Sequence, residues 1–416
     1  MSNSLVSTQN RVESPFIIAK IGKYTFGHCS NMADRGKLKT LKVTYPNYMD
    51  ALSIVKVNGT VNTYTLKMVY AITEFDDPNM LEKVFSSVSR SREITLSYGD
   101  WNAPAFIYRE ETAIITKVTS NVDFNASKIN YTIQCTSSAL ALKAGAFNFA
   151  ARNAKPSDVL IELLENEAYG LKTIFSGMRN ATKVANSNLI ARDDKKVKID
   201  AKESINILDY VSYLVSCMVS QDDSESRGTK NSMYYWASYD DISNDFGGTY
   251  FKVQKVTAGV KYNLSYNTYE VDVGYPSGSY VTSFSINSDD TWSILYNYSE
   301  DIAMPQYTYS IDRNGNIVDQ YSPTVTRSSS HLTTTSASKN WWSHVTQFPI
   351  TAKLTIKGLL RPALLMTYVK VNTYFYGHKH ISSGLYIITK QEDSISSSGY
   401  QTTLSLTRIS GDEDCA

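Results

Sequence analysis

The tetrapeptide IITK stands twice in this chain, at residues 114–117 within TAIITKVTS (112–120) and at 387–390 within GLYIITKQEDSISSSGYQTTLSLTRI (384–409). Each copy follows a strand and a polar loop. Each precedes a turn-rich segment and a further strand pattern, YTIQCTS (131–137) in one place and TTLSLTR (402–408) in the other. Upstream, EITLSYGDWNAPAFIY (93–108) sets against KLTIKGLLRPALLMTY (353–368), both reading strand, glycine turn, proline, strand. A repeated order of elements carries more weight than a shared tetrapeptide, and it predicts two similar β-barrels at the two ends of the chain.

Working outward from the first copy, residues 41–72 alternate apolar and polar side chains. Asn58-Gly59 interrupts two runs of ALSIVKVNGTVNTYTLKMVYAI (51–72), a hairpin signal whose flanks also allow a longer loop. DDPNMLEKVFSSVSRS (76–91) reads as a short amphipathic helix, with Asp77 as cap, Pro78 in the first turn and Leu81, Val84, Phe85 and Val88 on one face. REITLSYGD, TAIITKVTS and KINYTIQCTS then return to strand alternation.

The pattern changes at PSDVLIELLENEAYG (156–170), where Val159, Leu160, Leu163, Leu164 and Ala168 form a helical stripe ending at Gly170. A second helix is expected in ESINILDYVSYLVSCM (203–218) from Ile207, Val211, Leu214, Val215 and Met218. Residues 232–345 are strand-rich and aromatic again, and they close with a polar run, TRSSSHLTTTSASKN (326–340), expected as a surface loop. The fold class is therefore mainly β with an α+β insert. Its expected divisions are a first barrel at 1–145, a helix-containing middle domain at 146–230, a second β-rich middle domain at 231–345 and a closing barrel segment, similar to the first, at 346–416.

At 416 residues the chain is long enough for two to four cores. Its 41 basic and 40 acidic residues nearly cancel, which argues against a strong field for holding nucleic acid or an acidic membrane face. The first residues lack the apolar region of a secretory signal, and no segment reaches a membrane-spanning length, since even GLLRPALLM (358–366) carries Arg361. Cys29, Cys135, Cys217 and Cys415 lie far apart and are read as reduced thiols in a chain matured in the cytosol.

Each motif with chemical potential has a plainer explanation. His378 and His380 would point to opposite faces of a strand, and no Cys, Asp or Glu lies close by to complete a ligand set; a turn or an interface contact is the preferred reading. His28-Cys29 are neighbours in sequence, which rarely lets the imidazole reach the thiol. DRNGNIVD (312–319) offers Asp312, Asn314, Asn316 and Asp319, but its glycine and its twelfth position, Pro323, do not fit a calcium loop, and a hairpin at Asn314-Gly315 fits better. The acid pairs Glu110-Glu111 and Asp240-Asp241 would need a cleft to act on a sugar. Trp236, Trp341 and Trp342 either fill β cores or stack on sugars or a partner. No phosphate loop, nucleophile elbow or zinc helix is present in the sequence. The expectation is a chain with no catalytic, metal or cofactor-binding residues.

Taken together, the N-terminal barrel, the insert PSDVLIELLENEAYG, the helix SINILDYVSYLVSCM and the closing GLYIITKQEDSISSSGYQTTLSLTRI resemble the baseplate hub proteins of bacteriophage tails, of the late control protein D type, which are related to the base of type VI secretion spikes. The resemblance covers nearly the whole chain as an order of elements. It implies a homotrimer with two tube-like barrels per chain, giving pseudo-sixfold symmetry that matches a hexameric tail tube. It also implies a central spike or needle on the far side, peripheral baseplate proteins outside, DNA only in transit through the channel, no membrane partner, and a place in the virion after assembly in the host cytoplasm. The sequence stops at SGDEDCA, shortly after the second barrel, so a separate spike is expected rather than one in the same chain. The alternative function is a carbohydrate-binding or peptidoglycan-degrading tail protein.

Overall fold

A computed structural model describes residues 14–29, 42–43, 45–46, 48–71, 93–101, 108–165, 190–221, 232–240, 249–257, 267–273, 281–288, 306–307, 321–322, 350–358 and 365–411. Several expectations lie outside these residues: the helix at 76–91, the end of the helix near Gly170, the loop of Asp312, Asn314, Asn316 and Asp319, the run 326–340, and Asp241, Trp341, Trp342 and Cys415.

The first unit contains β1 (Pro15–Ile21), β2 (Tyr24–Cys29), β3 (Tyr45–Pro46), β4 (Met49–Val57), β5 (Thr63–Ala71), β6 (Glu93–Asp100), β7 (Tyr108–Asp123) and β8 (Lys128–Thr136). Their hydrogen-bonded order is β4-β5-β8-β7-β6-β1-β2-β3. Alternation sets the inward face: β5 buries Tyr64, Leu66, Met68 and Tyr70 and turns the residues between them outward. β4 and β5 are joined by a loop in which Thr60 N–H donates to the Val57 carbonyl (3.3 Å) and Gly59 takes φ +74°, a conformation that glycine adopts without steric cost.

The middle unit has β9 (Phe147–Phe149), β10 (Arg152–Ala154), helix α1 (Pro156–Glu165), β11 (Val197–Ile199), β12 (Lys202–Ile205), helix α2 (Ile207–Cys217), β13 (Ser232–Tyr239) and β14 (Tyr250–Thr257). Asn206 caps α2 by accepting from Asp209 N–H (2.9 Å). Asp194, from a separate segment, accepts from both the Ser157 N–H (2.9 Å) and hydroxyl (2.5 Å) in the first turn of α1. Both apolar stripes face one core with Trp236 and Phe251, so Trp236 is a core residue; its ring lies 5.4 Å from Phe251 and its indole N–H donates to Ser212 Oγ (3.2 Å).

The rest comprises β15 (Asn267–Val273), β16 (Val281–Ser288), β17 (Gln306–Tyr307), β18 (Tyr321–Ser322), β19 (Ile350–Lys357), β20 (Tyr368–Phe375), β21 (His378–Lys379), β22 (Gly384–Ser396) and β23 (Gly399–Gly411). β16-β19-β23-β22-β20-β15 run side by side, and the ladder continues from β22 into β4 of the first unit. β22 is thus divided: residues 384–387 pair with β20, and residues 390–396 pair with β4. Its hairpin with β23 contributes Tyr386, Ile388, Leu404 and Leu406 to the second barrel core but Ile395 and Tyr400 to the first. Gly358 allows this: its N–H donates to the Tyr400 carbonyl (2.8 Å), and a Cβ added there would lie 2.2 Å from the Tyr400 ring.

The two ladders repeat each other in detail. The β7–β8 register skips at Thr116, whose hydroxyl donates to the Gln134 carbonyl (3.0 Å). The β22–β23 register skips at Thr389, the same residue of the second IITK, whose hydroxyl donates to the Ser405 carbonyl (3.2 Å). A second skip falls at Asp50 in β4–β5 and at Thr282 in β16–β19. A β-bulge unpairs one residue and bends its strand, so two bulges at matching places fix the alignment of both units. β4-β5-β8-β7-β6 correspond to β16-β19-β23-β22-β20. The correspondence ends at the next strand, since β1 is antiparallel to β6 while β15 is parallel to β20.

This alignment corrects part of the sequence comparison. KLTIK (353–357) is β19 and matches TLKMV (65–69) on β5; it does not match EITLSYGD, which is β6 and matches β20. Strand, glycine and proline recur in both segments, but only ladder neighbours distinguish one such strand from another. The polar loop expected just before the first IITK is strand instead: Arg109, Glu110 and Glu111 stand on β7.

Candidate functional site

Alternation along β4 puts Lys56 on the same face as Leu52 and Ile54. The same rule puts Arg109 and Glu111 in line with Ala113 and Ile115 on β7, and Gln391 and Asp393 in line with Ile395 on β22. Five charged residues, Lys56, Arg109, Glu111, Asp240 and Asp393, are therefore buried where the first barrel, the shared hairpin and β13 meet. A buried charge is costly unless it is paired and hydrogen-bonded.

Glu111 is the centre, with 1% of its surface exposed. Its Oε1 accepts from the Lys56 ammonium, from the Tyr98 hydroxyl (2.9 Å) and from Arg109 Nη1 (3.3 Å). Its Oε2 accepts from the Tyr64 hydroxyl (2.7 Å). Burial by itself would push this carboxyl up; the charges of Lys56 and Arg109, with the Lys56 and Tyr64 hydrogen bonds, outweigh it and hold the group at about 2. Asp393, one alternation from Ile395, accepts from Gln391 Nε2 (2.6 Å), Thr402 Oγ1 (2.6 Å) and the Tyr400 hydroxyl (3.1 Å).

Asp240 has no cation beside it in this network. Its Oδ1 meets the hydroxyls of Ser137 (2.5 Å) and Thr249 (2.7 Å), and its Oδ2 meets Asn62 Nδ2 (2.7 Å) and the Tyr64 hydroxyl (2.9 Å). Tyr64 has one proton and two carboxyl neighbours, Glu111 and Asp240. If Tyr64 donates to the ionised Glu111, Asp240 satisfies the remaining contact by being protonated and donating to Tyr64. Burial drives Asp240 in that direction, raising its carboxyl above the ordinary range, and the Glu111 charge adds to it against the hydroxyl hydrogen bonds.

A sign follows for stability. A carboxyl raised in the folded state contributes stability below the ordinary Asp value of about 3.9 that is lost as pH rises above it. Asp240→Asn lacks this loss. It is expected to cost about 1–2 kcal/mol at pH 5, because the Asn62 amide keeps the Ser238 carbonyl but loses its acceptor on residue 240, and less at pH 8. Urea unfolding at the two pH values measures this, and a cost that grows with pH would refute the assignment.

The junction also ties segments that are remote in sequence. Asn62 Nδ2 donates to the Ser238 carbonyl (3.1 Å), Gly59 N–H to the Trp236 carbonyl (2.7 Å) and Thr112 N–H to the Asp240 carbonyl (3.1 Å). What the arrangement can do is hold β13, the β4–β5 loop and β7 in one orientation. Its acids are enclosed by their own donors.

The residues singled out in the sequence are dispersed. His378 is exposed on β21, and His380 stands in the following turn, where its Nδ1 lies 2.8 Å from Ser382 Oγ and its ring 5.0 Å from Phe375. Among the described residues no group of three or more His, Cys, Asp or Glu side chains is placed to hold a metal ion. His28 and Cys29 are both buried on β2 and, as strand neighbours, take opposite faces. Cys29, Cys135 and Cys217 are free, buried thiols; burial pushes Cys135 up to about 12 and Cys217 up to about 11. Glu110 and Glu111 face opposite sides of β7, and Glu111 is brought instead to Asp240 through Tyr64. Lys56, Arg109 and Asp393 had a legible signal, a charge at an inward position of an alternating strand, that sequence reasoning passed over.

No protein-family model matches the chain, and no curated protein matches it. Among solved structures it is similar to the 43 kDa tail protein of prophage MuSo2 from Shewanella oneidensis, at 11% identity over 94% of this chain and 96% of that one, with a TM-score of 0.49. It is also similar to a tail protein from Neisseria meningitidis MC58 (11% identity, 95% and 96% covered, TM-score 0.46). A third is the c3393 protein of E. coli, described as a component of the type VI secretion system (8% identity, 87% and 74% covered, TM-score 0.44).

Proposed function

We propose that the protein is a structural hub of a phage tail baseplate, a homotrimer whose six barrels ring a channel and join a hexameric tail tube to a central spike. The observation that carries this reading is the repeated ladder: two barrels with matching bulges, joined edge to edge through β22 and β4. A ring of three such chains places six similar barrels around one axis and meets a sixfold tube without mismatch. The near balance of 41 basic and 40 acidic residues suits a channel through which DNA passes without being held. In this reading the middle units carry peripheral baseplate proteins, no residue is catalytic, and the buried Glu111 junction fixes the angle between units. Trp236, enclosed with Phe251, offers no platform for a sugar.

Light scattering at assembly concentrations, with electron microscopy of the particles, tests the proposal. A mass of three times 46.5 kDa with threefold or pseudo-sixfold views is expected. A monomer or dimer that stays so in the presence of tail tube protein would sink it.

A further inference from the structure

Within one chain, residues 390–396 of β22 are covered by β4. The matching part of β7, residues 117–123, pairs with β8 on one side and, among the described residues, with no strand on the other. Thr116 through Val122 are exposed on both faces, whereas their counterparts Thr389 through Ile395 are mostly covered. β16, the counterpart of β4, ends the sheet and has β19 as its one ladder partner among the described residues. Among the described residues the chain therefore carries two open edges that are the unfilled versions of a junction it already makes once.

We infer that β7 of one copy pairs antiparallel with β16 of the next, in the register that β22 makes with β4. The inference rests on the ring reading above and specifies how the ring closes. The register follows from the repeat: Ser394 pairs with Ser53, and Ser394 corresponds to Asn121 while Ser53 corresponds to Ser285. Asn121 then lies opposite Ser285, and Val122 opposite Phe284 where the internal junction has Ile395 opposite Leu52.

The side chains fit this occupant. Leu52 and Ile54 are fully buried on β4, and their counterparts on β16 are Phe284 and Ile286, the latter 41% exposed in the single chain. Gln391 and Ile395 are buried on β22, and their counterparts on β7 are Val118 and Val122, 37% and 44% exposed. Apolar residues thus stand on both open edges at positions that the internal junction buries, which singles out a second copy over an unrelated partner. A long, unpaired, apolar edge is also a liability in a free chain, and pairing removes it. The contact is heterologous, so it generates a ring when the rotation closes.

Cysteine pairs test the register, because directly opposed strand residues lie about 4.5–5.5 Å apart at Cα, within disulfide reach. In the full chain carrying Cys415→Ser, Asn121→Cys with Ser285→Cys is expected to give a covalent ladder ending at three chains under mild oxidation. Either single variant, or Lys117→Cys with Ser283→Cys, six residues out of register, should give none. Val122→Lys, on an exposed position that does not threaten folding, should shift the native mass toward the single chain with an unchanged circular dichroism spectrum. A native trimer that fails to cross-link in register, or that Val122→Lys leaves intact, overturns the edge pairing and spares the ring. A chain that stays monomeric throughout overturns both.

Discussion

Glu111→Gln is expected to lower the stability of the fold by about 3–5 kcal/mol, the usual consequence of removing one partner from a buried ion pair. Glutamine retains the shape but not the charge, leaving the buried Lys56 and Arg109 without the carboxylate that accepts from both. Lys56→Met combined with Glu111→Gln removes one of the two cations left uncompensated and is expected to recover part of the loss. The acid limb supplies a second measurement. A carboxyl held at about 2 contributes stability that is present above the ordinary carboxylate range and lost as pH falls toward that value. The Glu111→Gln variant should therefore show a flatter decline between about pH 4.5 and 2 than the parent. Denaturant unfolding across that range decides it, and a variant within about 1 kcal/mol of the parent at neutral pH would contradict the central place given to Glu111.

Tyr400→Ala should cost a similar amount, about 3–5 kcal/mol, through a cavity in the first barrel core. Tyr400 reaches that core from the end of a hairpin whose other end builds the second core, and its hydroxyl donates to Asp393 (3.1 Å). Tyr400→Phe separates the two effects: losing the hydrogen bond alone is expected to cost about 1–3 kcal/mol, because Asp393 is buried. Hydrogen exchange locates the damage. Amides of β4, which pair with residues 390–396, should lose protection first, while β20, paired with residues 384–387, should retain it. Equal loss on both strands would mean that the hairpin does not divide between two cores as described.

The ion network and the duplication were unequally legible. IITK marked the repeat because its threonine makes the same bulge twice, with the same hydroxyl bond to the strand alongside. The upstream match failed because a β-strand pattern specifies a face and not a neighbour: KLTIK and EITLSYGD both alternate, but one corresponds to β5 and the other to β20. The helices at 156–165 and 207–217 were read from local periodicity and capping residues, which are short-range properties.

Lys56, Glu111 and Asp393 lie far apart in sequence, and nothing local announces that they meet. What the sequence by itself determined is therefore the mainly β composition of the fold, the two helices of the insert, the inward face of each strand and the existence of a repeat. What only the tertiary structure decided is which strand pairs with which: that β22 is shared, that Ile395 and Tyr400 complete a core formed by residues 17–135, and that Glu111 meets Lys56 and Asp240 through Tyr64. The physical reason is that a period of two is encoded within a few residues, whereas ladder partners are chosen by packing and hydrogen bonding between segments hundreds of residues apart.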